Sequence, residues 1–236
     1  MSSPEEFREE AIRLLKKLEN EGMRSVYLAD ESEAQPSPES GSVPAAAPAD
    51  DAESDSLDGI RLEVSQCTLC ALHEGRNKTV FGVGNPEAKV MFIGEAPGRD
   101  EDLKGEPFVG RAGQLLDKIL AAIDLDRESV YITNILKCRP PKNRDPEESE
   151  VRCCENYLKR QIALIRPRYI CALGRVAAQW LLQTNATLGA IREGEYYYEG
   201  IPVIATYHPA ALLRNPNFKK PCWEDMKKLR ALLDET

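Results

Sequence analysis

From about residue 60 onward the chain alternates compact apolar runs with longer stretches whose apolar residues recur every three or four positions. The runs at 89–94, 129–136, 168–174 and 201–207 are rich in Val, Ile, Tyr, Phe and Leu, as expected of strands covered on both faces. Helical spacing lies between them, near 111–123, 146–165 and 175–183. Strand and helix in alternation predict an α/β fold: a three-layer α/β/α sandwich around a central, mostly parallel four-stranded sheet. Such sheets bind ligands at the carboxyl ends of their strands. Three polar residues stand there: Glu95 after the first run, Asn134 late in the second and His208 after the fourth.

The first 58 residues are patterned differently. Phe7, Ile12, Leu14, Leu15 and Leu18 recur at near-helical spacing and predict a helix over 1–28 with a narrow apolar face. Residues 29–58 are mostly Ser, Pro, Ala, Glu and Asp, too poor in large apolar groups to repay ordering, and read as a disordered acidic linker. The globular domain is then 59–236. The helix is expected to dock on a partner protein, and the plainer reading makes it a solvated tail.

Charge divides along the same boundary. Of 39 acidic and 31 basic residues, 15 and 5 fall within residues 1–60, so the net −8 becomes +2 for the remainder. That balance permits a basic groove for nucleic acid without demonstrating one. No apolar run is long enough to cross a membrane, and the N-terminus lacks the features of a signal peptide, so a cytoplasmic protein is expected.

Four motifs carry candidate chemistry. Gly94-Glu95-Ala96-Pro97-Gly98 follows the first strand and places a carboxylate where backbone can approach a ligand. Gly105-Glu106-Pro107-Phe108-Val109-Gly110-Arg111-Ala112-Gly113 runs into a helix and sets Phe108 in a turn, where an exposed stacking surface is expected. His208 opens the segment His208-Pro209-Ala210-Ala211-Leu212-Leu213-Arg214, an imidazole suited to donating toward developing negative charge. The fourth motif is a cysteine set. Cys67 and Cys70 form a tight pair, and Cys138, Cys153 and Cys154 can add thiolates, a supply that fits either zinc or a four-iron cluster. Cys171, inside a strand, and Cys222, in a late loop, read as packed or free thiols.

Taken in order, Gly-Glu-Ala-Pro-Gly, Gly-Glu-Pro-Phe-Val-Gly-Arg-Ala-Gly, Thr133-Asn134-Ile135-Leu136-Lys137-Cys138-Arg139-Pro140-Pro141 and His208-Pro-Ala-Ala-Leu-Leu-Arg-Asn-Pro resemble the family 4, iron–sulfur uracil-DNA glycosylases over about residues 60–235. The resemblance implies a monomeric enzyme of base excision repair that flips uracil out of DNA and hydrolyses its glycosidic bond. It implies a 4Fe-4S cluster held by Cys67, Cys70, Cys138 and Cys154, with Cys153 in reserve. It also implies a base site formed by Gly94, Glu95, Ala96, Glu101, Phe108, Asn134 and His208. In that site Phe108 stacks on the base, Asn134 reads it, and Glu101 walls off a C5 methyl. His208 donates to uracil O2 while Glu95 orients water or favours the sugar cation. Leu212, Leu213 and Arg214 are expected to fill the gap left in the duplex. Family 1 relatives carry Asp where this chain has Ala96. The competing reading is a non-catalytic iron–sulfur module that binds DNA or a polymerase.

Overall fold

Six strands form one sheet: β1 (Val83–Gly84), β2 (Val90–Gly94), β3 (Tyr131–Asn134), β4 (Tyr169–Leu173), β5 (Tyr196–Tyr198) and β6 (Ile201–Thr206), in the order β1-β3-β2-β4-β6-β5. The computed structural model describes residues 55–235. The four expected strands are its parallel centre, paired as β3 with β2, β2 with β4 and β4 with β6. The expectation of four strands is corrected by two antiparallel edges. β1 pairs Val83 with Ile132, and β5 returns on β6 with Tyr198 opposite Ile201. Glu199 and Gly200, both at positive φ, make that two-residue turn, which suits the twist of a hairpin.

Nine helices cover the sheet among the described residues: α1 (Leu57–Gln66), α2 (Leu72–Gly75), α3 (Arg99–Lys104), α4 (Arg111–Ala121), α5 (Glu148–Ile165), α6 (Arg175–Leu182), α7 (Leu188–Glu193), α8 (Pro209–Arg214) and α9 (Lys219–Asp234). Successive strand residues point to opposite faces, so β2 feeds two cores. Met91 and Ile93 pack with Ile60 and Val64 of α1, Leu158 and Ile162 of α5 and Leu181 of α6. Val90 and Phe92 pack with Leu116 and Leu120 of α4 and Met226 and Leu229 of α9. That is the three-layer arrangement. No described helix is long and apolar enough to cross a membrane.

Two boundaries differ from expectation. Cys222 lies buried in α9 rather than in a loop. The ordered fold also takes in residues assigned to the linker: Ser56 caps α1 by accepting from the Gly59 amide at 3.1 Å, and Asp55 bonds the Arg160 guanidinium of α5. A polar cap followed by only two buried apolar positions, Ile60 and Val64, with Leu62 exposed, leaves little periodicity to read. The helix expected over 1–28 lies outside the described residues.

Candidate active site

A cavity of about 440 Å³ opens at the carboxyl ends of the parallel strands, where sheets of this kind place their ligands. Glu95 and Ala96 enter it from the end of β2, Asn134 from the end of β3, Gly174 and Arg175 from β4, and His208 from β6, while Glu101, Phe108 and Arg214 complete the wall. The structure thus brings seven of the expected residues to one place. Gly94 lies behind them. A Cβ at Gly94 would stand 2.4 Å from Asn134 Oδ1 and 2.7 Å from the Phe108 ring, so any side chain there would displace both.

Asn134 is buried, and its Oδ1 has no hydrogen-bond partner among the described residues. Phe108 is only 5% exposed, which corrects the expectation of an open stacking surface. Its ring lies 5.4 Å from the His208 ring, tilted by 32°. Glu101 lines the cavity, and its Oε1 accepts from the amides of Val109 and Gly110 at 2.9 and 3.0 Å, tying down the turn that carries Phe108.

His208 Nδ1 accepts from the Ala210 amide at 3.1 Å at the start of α8, which leaves Nε2 as the donor. Burial holds the imidazole down at about 4, and Arg214 pushes the same way, so the ring is neutral at ordinary pH. Gly174 supports it: its φ is +96, and a Cβ there would come within 2.9 Å of His208 Cβ. Glu95 is driven oppositely. Burial pushes its carboxyl up to about 7, Asp145 adds to the rise, and Arg175 and Arg214 oppose it. Arg175 pairs with Asp145 at 2.9 Å on the cavity rim. Neither was singled out in the sequence, although Gly174-Arg175 ends a parallel strand just as Gly94-Glu95 does.

Of the segment expected to fill the duplex, Leu213 is 42% exposed and Arg214 reaches the cavity. Leu212 is buried in the core with α4 and α9, and so it cannot serve as a wedge.

The five N-terminal cysteines of the described residues meet elsewhere. Cys67, Cys70, Cys138, Cys153 and Cys154 line one small cavity between α1, α2, the segment after β3 and α5. Arg76 donates to Cys138 Sγ and the Lys137 amide to Cys154 Sγ, each at 3.3 Å. Burial pushes the thiols of Cys70, Cys138 and Cys154 up, the last to about 12. Among the described residues no group of three or more His, Cys, Asp or Glu side chains is set to hold a single metal ion.

A family model described as the uracil DNA glycosylase superfamily matches residues 81–227, which contain every residue named for the 440 Å³ cavity but not Cys67 and Cys70. A type-4 uracil-DNA glycosylase of Archaeoglobus fulgidus is 50% identical over 186 residues, spanning 75% of this chain and 94% of its own length. The chain belongs to the type-4 uracil-DNA glycosylases. Other type-4 uracil-DNA glycosylases are similar to it as well: that of Sulfurisphaera tokodaii at 46% identity, over 75% of this chain and 85% of its own, and that of Thermotoga maritima at 40%, over 72% and 91%. In this type-4 glycosylase chain Glu95, Asn134, Arg175 and His208 reach the cavity from the ends of four different strands, while Glu101 and Arg214 reach it from α3 and α8.

Proposed function

We propose that this chain draws uracil out of DNA into the cavity and hydrolyses its N-glycosidic bond, leaving an abasic site for base excision repair. The observation that carries the reading is the buried Asn134 Oδ1 without a partner, beside an aromatic ring and a neutral imidazole donor. A buried acceptor left unmade costs about 1–3 kcal/mol, so it is built for a ligand that donates. Uracil N3–H donates and O4 accepts, matching an amide, whereas cytosine presents an acceptor and a donor in those places. Extrusion costs a few kcal/mol, and stacking on Phe108 offsets part of it.

Cleavage leaves cationic charge on the sugar and negative charge on the base. His208 Nε2–H donates to uracil O2 as that charge grows, and a neutral donor does so without first trapping an anion. Glu95, once ionised, faces the sugar cation or holds the water whose hydroxyl joins C1′ while its proton goes to the departing base. The carboxylate has no Asp neighbour in its motif, because that position is Ala96. Leu213 and Arg214 fill the gap in the duplex, and the enzyme acts as a monomer.

Cys67, Cys70, Cys138 and Cys154 hold a 4Fe-4S cluster in this reading. Buried thiols that raise one another's pKa need a cationic centre to ionise, and N–H donors to two of the sulfurs suit thiolates. The cluster supplies cross-links between α1, the loop after β3 and α5, not redox chemistry for base removal. The deciding experiment is release of uracil from a labelled oligonucleotide: a chain that binds the DNA and releases none is the non-catalytic module instead.

A further inference from the structure

We infer that Arg127, in the connection between α4 and β3, is a positioning residue for excision because it holds the strained turn that aims Phe108 at the base. The inference rests on the glycosylase reading and deepens it. Phe108 sits at φ 54, in the left-handed region that a bulky side chain leaves unless it is held. Two ionised side chains hold the turn from opposite poles. Arg127 Nη1 donates to the Pro107 carbonyl at 3.1 Å and Nη2 donates to the Phe108 carbonyl. Glu101 accepts from the next two amides. The cation thus meets the carbonyls and the anion meets the N–H groups, so all four bonds are charge-assisted.

Arg127 is fixed in turn by Asp117 of α4, with Nε to Oδ1 at 2.6 Å. The turn has no slack on the helix side, since a Cβ at Gly113 would lie 1.7 Å from the Phe108 carbonyl oxygen. Arg127 does not line the cavity. Its described bonds reach the cavity through the turn that carries Phe108, and a planar fork is needed because a lysine ammonium cannot match two carbonyls in fixed directions.

The test is a double-mutant cycle on single-turnover uracil release, using the full chain as purified with its iron. Misplacing a contact at a reacting centre by about an ångström costs on the order of 10²-fold. Arg127→Met should therefore slow the saturating rate about ten- to a hundredfold while leaving affinity for an abasic-site duplex near the parent's. In a Phe108→Leu background the same change should cost less than about threefold, because the ring it aims is gone. Equal losses in both backgrounds, a parent rate in Arg127→Met, or a parent rate in Phe108→Leu overturns the inference. If Arg127→Met does not fold, Arg127→Lys, which keeps the charge but not the fork, carries the same cycle with the same expected outcome. A parent chain that releases no uracil overturns the glycosylase reading instead, and that is seen before any variant is made.

Discussion

In the proposed reading one atom of Asn134, its unpartnered Oδ1, decides what the pocket accepts. Replacing it with Asp keeps an acceptor for N3–H but sets a second anionic oxygen against O4, so single-turnover excision of uracil should fall on the order of 10²-fold. Uracil- and cytosine-containing oligonucleotides measured side by side check this; a parent rate with cytosine still ignored would remove Asn134 as the reader. Glu95 gives a prediction with a sign. Its carboxyl is held at about 7 in the fold against an ordinary 4.5, so between those values the folded chain binds the extra proton and stability falls as pH rises. Activity should climb over the same range as the carboxylate forms. Glu95→Gln should therefore be nearly inactive, melt higher than the parent at pH 8 and match it at pH 4, as melting curves at the two values would show. Glu95, Asn134 and His208 were legible because each is a polar residue at the end of an apolar run. Arg127 was not, since an arginine in the acidic stretch Asp124-Leu125-Asp126-Arg127-Glu128 looks solvated, and nothing local says that it reaches back to Pro107 and Phe108.

The adjacent cysteines of α5 separate at the scale of the helix. Neighbours on a helix point about 100° apart, and here Cys154 turns into the core while Cys153 is half-buried. Cys154→Ser should lose iron and visible absorbance, and Cys153→Ser should keep both. Iron per chain in anaerobically purified protein is the measurement, and the opposite pattern would make Cys153 the ligand. The parallel strands were readable because burial on both faces leaves an uninterrupted apolar run, as in Val90-Met91-Phe92-Ile93. β5 was not: Tyr196-Tyr197-Tyr198 is short and partly exposed, and it becomes a strand only through the turn that lays it on β6. β1, at two residues, is defined by its pairing with β3 alone.

Over the whole molecule, charge is the property that the sequence displays most openly. Residues 1–54 hold 13 acidic and 5 basic residues and so account for the entire −8, leaving the described part balanced. A chain lacking 1–54 should keep its specific activity on a short oligonucleotide, and gain at low salt, where the acidic segment competes with phosphate. Comparing full-length and shortened chains across a salt series tests this; a large loss on truncation would place the segment inside the working enzyme.

Behind the proposed base pocket stand two glycines, Gly94 against Asn134 and Phe108 and Gly174 against His208. Both are written in the gene as codons beginning with two guanines, each paired to a cytosine. Deamination of either cytosine, left unrepaired, turns that guanine into adenine and the glycine into Ser, Arg, Asp or Glu, none of which leaves room for the groups above. The lesion that this chain removes from a genome is thus one that would erase its own pocket, and at these two codons only the third base is free to drift.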